Sequence, residues 1–258
     1  MTPPRLVRVI KIGGRVQRDA RLVPLLAQLW AQAPGSFCVV HGGGETISVL
    51  QTQLGGGPRF VAGRRVTTIA DIEVLRMALS GVANKQLVSC LSAEGVGAVG
   101  ISGEDGSLIV ARPLDAERFG RVGVPHVVNE GILRTLLAGG YLPVVSPVAR
   151  DGAGGAGALN VNADDAAAAI AVALDADELL LISDVAGVII DGIAAASLSG
   201  EEATQAIEDG IATEGMATKL RAALDALARG VPAVRIGGLD ALLDAGLGTT
   251  LVAAPQLA

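Results

Sequence analysis

Two short segments of this chain carry residue types that could hold a phosphate-like anion. Lys11-Ile12-Gly13-Gly14 places a lysine at the end of a β-branched run, with two glycines behind it. His41-Gly42-Gly43-Gly44 ends a second such run and opens a helical pattern. Glycines let backbone N–H groups point at an anion with no Cβ in the way, and a helix N-terminus adds partial positive charge. Lys11 would supply a full charge. Either cluster alone reads equally well as a simple turn; at consecutive strand ends, the pair favours an anion site. Neither fits the patterns GxxxxGK[ST] or GxGxxG. His41 reads as a hydrogen-bonding residue that orients its loop rather than as a catalytic base.

Three further constellations follow. In Asn160-Val161-Asn162-Ala163-Asp164-Asp165, Asn162 has an N-cap signature and the acids suit a first helical turn. Capping leaves Asn160 and the doubled acid unexplained. In Glu214-Gly215-Met216-Ala217-Thr218-Lys219, a lysine sits early in a helix, against the macrodipole, so a surface lysine and a functional one both remain open. Ser183-Asp184-Val185-Ala186-Gly187, just after a strand pattern, is a loop of the kind that lines a nucleotide pocket.

The elements that must position these residues alternate. Strand patterns at Leu6–Ile12 and Ser36–Val40 frame a helix bearing Leu22, Leu25, Leu26 and Leu29, with Asp19 as its expected cap. A helix with Ile47, Leu50 and Leu54 ends at Gly55-Gly56-Gly57-Pro58. A longer helix shows Ile72, Leu75, Leu79 and Val82 on one face. Strand-like runs at 97–101, 107–111 and 121–128, the last two a hairpin, precede a helix at 130–137 and a strand at 141–148. Beyond a glycine-alanine boundary at Gly152–Gly157 come helices at 164–174, 201–207 and 217–228 and strands at 178–182, 233–236 and 249–252. Alternation of this kind predicts an α/β fold: an open, mostly parallel sheet sandwiched by helices, in two lobes sharing one central sheet. The lobes are expected at 1–158 and 159–258.

Composition narrows the function. Half of the 258 residues are hydrophobic and 18% are charged, which fits a packed core and argues against disorder. The net charge is −6, without a basic run or an aromatic-rich basic stripe, which argues against nucleic acid as the partner. Cys38 and Cys90 sit in apolar runs without CxxC pairing and read as reduced, buried thiols; with His41 and His126 the only histidines, no His/Cys metal site can be assembled. No signal-peptide core or membrane-spanning run is present, so a cytoplasmic enzyme or binding protein is expected.

The segments KIGG (11–14), VHGGG (40–44), GRRVT (63–67), ANK (83–85), FGRVG (119–123), GYLPVVSP (140–147), NVNAD (160–164), SDVAG (183–187), EGMATK (214–219) and GTTL (248–251) stand in one order along nearly the whole chain. In that order they resemble the amino-acid kinase family, and within it the members that phosphorylate N-acetyl-L-glutamate. The resemblance implies ATP-dependent phosphorylation of the side-chain carboxylate of N-acetyl-L-glutamate in arginine biosynthesis, with ATP and Mg²⁺. It implies that Lys11 and Lys219 flank the transferred phosphoryl group and that Asp164 orients them. Gly13, Gly14, Gly43 and Gly44 would give N–H groups to the phosphates and the attacking carboxylate. Arg65, helped by Asn160, would bind the α-carboxylate. Asp184, Val185, Ala186, Gly187, Val188 and Ile189, with Ile211, Ala212 and Thr213, would hold the nucleotide.

The resemblance places acyl-amino-acid binding and dimerisation in the first lobe and ATP in the second. Departures from the family pattern are Glu214 before Gly215-Met216, Thr68 after Arg65-Val66-Thr67, and Ile236-Gly237-Gly238-Leu239. Arginine-inhibited relatives carry an extra N-terminal helix for which Met1–Arg5 is too short, so the expectation is an arginine-insensitive homodimer joined through Ile72–Leu91. Two other readings stay open: a kinase for a related acid such as N-acetylaminoadipate, and a nucleotide-binding regulator that kept the fold but lost turnover. An aspartokinase is disfavoured by length, and a dinucleotide-dependent dehydrogenase by the missing GxGxxG.

Overall fold

The computed structural model describes residues 7–61, 63–154 and 157–252, with Glu214 in its backbone only. The expectations tied to Met1–Arg5, and to the Glu214 side chain, fall outside the described residues.

The chain opens with β1 (Arg8–Ile12), α1 (Leu22–Gln32), β2 (Phe37–His41) and α2 (Gly44–Gln53). A short hairpin of β3 (Phe60–Val61) and β4 (Arg64–Arg65) leads to a long helical run: α3 (Ile69–Leu75), a π-helical segment (Arg76–Ala83) and α4 (Asn84–Ala93). Then come β5 (Ala98–Gly103), β6 (Ile109–Pro113), α5 (Ala116–Phe119), β7 (Val122–Val128), α6 (Glu130–Ala138) and β8 (Leu142–Asp151). The second half holds β9 (Ala158–Val161), α7 (Ala163–Ala173), β10 (Glu178–Ile182), a small hairpin of β11 (Ile189–Ile190) and β12 (Ile193–Ala194), and β13 (Ser197–Ser199). It ends with α8 (Gly200–Glu208), α9 (Glu214–Ala228), β14 (Ala233–Gly237) and β15 (Thr249–Val252).

Among the described residues, eleven strands form one sheet in the order β13-β15-β14-β10-β1-β2-β8-β6-β7-β9, with β5 also paired to β8. Most pairings are parallel; β14–β15, β6–β7 and β8–β9 are antiparallel. The expected mostly parallel α/β sheet is therefore what forms. Both faces are covered. Val9, Cys38, Val40, Leu179 and Leu181 pack in one core with α7 and α9, while Ile10, Ile12, Phe37, Val39, Leu180 and Ile182 pack in another with α1 and α4. Successive strand side chains point to opposite faces, so these central strands are apolar on both sides. That is why they read as unbroken hydrophobic runs.

Local expectations fail in three places. Asp19 is not the N-cap of α1: that position is Arg21, whose N–H donates to Asp19 Oδ1 in a turn just before the helix. Val82 is 44% exposed while Ile72, Leu75 and Leu79 are buried. The π segment bonds i to i+5 and so takes in an extra residue, rotating everything after Leu79 out of the expected stripe. Cys90 lies on the exposed side of α4, whereas Cys38 is buried as expected. Gly152 and Gly157 flank the connection between β8 and β9, which pair antiparallel, so this segment joins two strands of the same sheet.

Close approach of α4 to β5 depends on Gly100. A Cβ there would fall on the Asn84 amide oxygen, 2.8 Å from Lys85 Nζ and 2.9 Å from Val88 Cγ2. Overpacking of this kind costs about 1–3 kcal/mol. Gly100→Ala should lower the unfolding free energy by that amount, read as a lower denaturation midpoint at unchanged m-value, and an unaltered midpoint would show that α4 slides freely.

Candidate active site

Four neighbouring parallel strands end in line. Ile12 of β1 lies opposite His41 of β2 and Ile182 of β10, and Ile182 lies opposite Gly237 of β14. Ligands bind at this carboxyl edge in open α/β sheets. Lys11 shares its face of β1 with Val9, and that face is the one covered by α7 and α9. Strand alternation thus aims the Lys11 side chain at the start of α7. There, Asn162 Oδ1 accepts the N–H of Asp164 (2.7 Å) and of Asp165 (3.4 Å) and caps the helix. Alanines 166 to 169 and 171 are buried, so α7 lies low on the sheet and brings its first turn to Lys11. Helix α9 packs against α7 and supplies Lys219.

The three side chains meet. Lys11 Nζ lies 2.8 Å from Asp164 Oδ1 and Lys219 Nζ lies 3.7 Å from Asp164 Oδ2, with Lys11 and Asp164 almost wholly buried. Burial pushes the Asp164 carboxyl up, but the charges and hydrogen bonds of Lys11 and Lys219 outweigh it and hold the group below the usual carboxylate range. For Lys219, burial and then the charge of Lys11 lower the ammonium below its ordinary value, while Asp164 and Asp184 oppose them. The trio carries a net positive charge against the sheet edge.

A cleft of about 420 Å³ opens on Lys11 and Asp164, with Lys219 behind the carboxylate and outside the cleft lining; its volume is within the usual size for a small-molecule site. Lys11, Gly14, Gly42, Gly43, Gly44, Arg65, Asn160 and Asp164 are among its walls. Gly43 precedes α2 so closely under Leu79 that a Cβ would come within 2.6 Å of Leu79 Cδ2. Arg65 is buried and donates to Gln51 Oε1 (2.6 Å), the Gly44 carbonyl (2.8 Å) and Ser48 Oγ (2.8 Å), with its guanidinium over the Phe60 ring. Asn160 donates to Thr67 Oγ1 at 2.9 Å, and Thr67 in turn donates to the Arg65 carbonyl. Arg65 and Asn160 are thus pinned to one wall together. His41 is fully buried with Nδ1 on the Gly42 carbonyl and Nε2 facing the Asn84 amide, and burial lowers its pKa to about 4. It stays neutral and orients the glycine loop, as its sequence context suggested.

Gly13 has a different place from the one expected. Its N–H already donates to the Ile182 carbonyl at 2.9 Å, so it spaces β1 from Ser183 instead of facing an anion. Among the residues expected at a nucleotide, Val188 sits in the core with its N–H given to Thr249 Oγ1, and Ala212 is buried with its N–H given to the Ala206 carbonyl. Neither offers its amide to a ligand. Asp184, Val185, Ala186 and Gly187 follow β10 beside the end of β14, while Ile189, Ile211 and Thr213 are exposed. These residues lie outside the cleft lining, but Asp184 is near enough for Lys219 to lower its pKa, together with the stronger hydrogen bond from Arg15. Ser183 Oγ is buried and has no hydrogen-bond partner among the described residues.

Several site residues went unread in the sequence. Arg15 pairs with Asp184 at 2.9 Å, and its position just after the Gly13-Gly14 pair was the available signal. Arg64 lines the cleft and pairs with Asp165 at 3.1 Å; its neighbour Arg65 drew the attention. Ser48 and Gln51 hold Arg65 from α2, and no spacing rule picks them out.

The model of the amino acid kinase family matches residues 7–238. The acetylglutamate kinase of Roseiflexus castenholzii is 42% identical over 240 residues, covering 92% of each chain. That of Geobacillus kaustophilus is 44% identical over 229 residues, covering 88% of each. Among solved structures, smu.665 from Streptococcus mutans superposes with a TM-score of 0.85 at 29% identity, over 95% of this chain and 98% of that one. A carbamate kinase from Giardia lamblia bound to AMP-PNP shares the fold, with a TM-score of 0.75 at 16% identity over 97% and 99% of the two chains.

The chain has only three lysines, Lys11, Lys85 and Lys219, so their side-chain NMR signals can be assigned by single substitutions. Lys219 should titrate below the ordinary lysine value of 10.5. Asp164→Asn removes a charge that raises it and should move that titration lower still. A Lys219 signal that titrates like a free lysine would contradict the buried trio.

Proposed function

The chain belongs to the amino acid kinase family, and from that premise we propose that it transfers the terminal phosphoryl group of ATP to the side-chain carboxylate of N-acetyl-L-glutamate. The products are ADP and N-acetyl-L-glutamyl 5-phosphate, an activated acid of the arginine pathway. The observation that carries this reading is the meeting of Lys11 and Lys219 on the buried Asp164, at the mouth of a cleft walled by glycines and by Arg65.

In the reaction a carboxylate oxygen attacks the γ-phosphorus in line. The new O–P bond forms as the bond to the β–γ bridging oxygen breaks, and that oxygen leaves with ADP. The acceptor is already ionised at neutral pH, so no general base is needed. What the protein must supply is alignment and charge. Lys11 and Lys219 neutralise the migrating phosphoryl group from two sides, and Asp164 holds both. Gly14, Gly43 and Gly44 bring backbone close to the phosphates and the acceptor carboxylate. Arg65 holds the α-carboxylate, with Asn160 on the same wall.

The nucleotide lies beyond Lys219, against Asp184 to Gly187, with Ile189, Ile211 and Thr213 around the base. The unpartnered Ser183 hydroxyl, buried between this loop and Gly13, suits a site built for phosphate oxygens. When bound with ATP, Mg²⁺ would supply neutralisation of phosphate charge. Among the described residues no three His, Cys, Asp or Glu side chains cluster, and no residue of this chain is assigned to hold the ion. Residues 1–158 then take the acyl amino acid and 159–258 the ATP.

The working enzyme is a cytoplasmic homodimer that buries the exposed Met77 and Val82 of the long helical run. No helix among the described residues is long and apolar enough to cross a membrane.

Purified protein should release ADP in the presence of N-acetyl-L-glutamate, with a lower kcat/KM for N-acetylaminoadipate. Lys11→Ala and Lys219→Ala should each reduce kcat by roughly 10²–10³-fold, the scale for removing one charge-stabilising group. ATP binding without acid-dependent ADP release would overturn the reading. In light scattering, Met77→Glu should convert the dimer to a monomer; an unaltered mass would remove this surface as the interface.

A further inference from the structure

Two adjacent arginines on β4 reach in opposite directions, as strand alternation requires. Arg65 is tied to α2 through Gly44, Ser48 and Gln51. Arg64 crosses to α7 and pairs with Asp165 at 3.1 Å, with both side chains three-quarters or more buried. Strands β3 and β4 pair at only two positions, Phe60–Arg65 and Val61–Arg64. A two-stranded hairpin of this kind is marginal alone: backbone bonds from Val66 to Arg59 and between Thr67 and Phe119 and Arg121 anchor its base, and the side-chain ties fix its two arms over the cleft. Asp165 is the residue after Asp164, and both N–H groups rest on the Asn162 cap. Anything that displaces Asp165 therefore displaces the turn that aims the Asp164 carboxylate.

We propose that the Arg64–Asp165 ion pair is a positioning latch, which fastens the hairpin walling the acyl-amino-acid cleft to the turn of α7 that carries Asp164. Seating the acceptor against the hairpin and aligning the lysine-holding carboxylate then become one event. Burial and the charges of Asp164 and Asp225 raise the Asp165 carboxyl, and Arg64 opposes them, so the pair depends on its arginine. Behind it a second cavity of about 250 Å³, lined by Arg64, Asp165 and Asp225 among others, gives the two side chains room to part. Arg64 touches both cavities. The assignment of the cleft rests on the proposed function, but the latch itself does not.

Trypsin and steady-state kinetics test the two parts separately on the full chain. Arg59, exposed just before the hairpin, is the reporter site. Asp165→Asn and Asp165→Ala should speed cleavage at Arg59 severalfold at unchanged thermal midpoint, and equal rates would overturn the latch. Arg64→Ala and Asp165→Ala should each raise KM for N-acetyl-L-glutamate between about threefold and tenfold, the range for coupled neighbours. KM for ATP should change less than KM for the acid, and the double variant should be no worse than either single. Arg64→Lys should restore most of the loss. Effects that multiply in the double variant, or that fall equally on ATP, would overturn the coupling. A wild type that does not turn over the acid would sink the functional reading, while proteolysis would still decide the latch.

Discussion

The structure turns on one buried carboxylate shared by two ammonium groups. Taking charges out of water is expensive, and a buried ion pair often contributes nothing net to stability. Asp164, Lys11 and Lys219 are therefore poor material for holding a fold together. Their value is that three buried charges of unequal sign leave an excess of one positive unit. An incoming anion of high charge density repays the desolvation that folding alone does not. The carboxylate draws both lysines to one point at the sheet edge.

Other features follow from the need to bring these three together. Lys11 must lie on the α7 face of β1, so the residues that pack the opposite face are Ile10 and Ile12. Helix α7 must lie low enough for its first turn to meet a strand side chain, and runs of alanine let it do so. Asn162 must take two N–H groups so that Asp164 starts the helix in a fixed orientation. The acid at that end is also favoured by the helix dipole. On the next strand, His41 stays neutral in the core and fixes the glycine loop, which a charged imidazole there could not do without a partner.

Much of this was legible because local and global signals agreed. The central strands announced themselves as apolar runs, and the glycine clusters at their ends marked the edge where the cleft opens. Asn162 read correctly as a cap, and what capping left unexplained in its segment includes Asp164, which meets Lys11 and Lys219. The rest was hidden for physical reasons. The π segment breaks the helical period that exposed Val82 was expected to follow. Gly13 looked like an anion donor because sequence does not tell which amide the sheet has already used. Val188 and Ala212 lie in the expected nucleotide segments yet face the core, since a loop bound to β15 and α8 must bury some of its own residues. Arg64 and Asp165 are far apart in the chain, and neither has a local partner that would mark it.

The two lysines are not equivalent. Lys11 belongs to a strand hydrogen-bonded on both sides, its ammonium lies 2.8 Å from Asp164, and only 6% of its side chain is exposed. Lys219 comes from α9, 3.7 Å from the same carboxylate, with 14% of its side chain exposed. The first is a fixed charge, built into the most rigid part of the molecule. The second is held loosely, pulled toward Asp164 and Asp184 while burial and Lys11 oppose its charge. In the proposed reaction this division would suit a group received on one side and released on the other, with the strand lysine fixing where the phosphoryl group passes and the helix lysine following it.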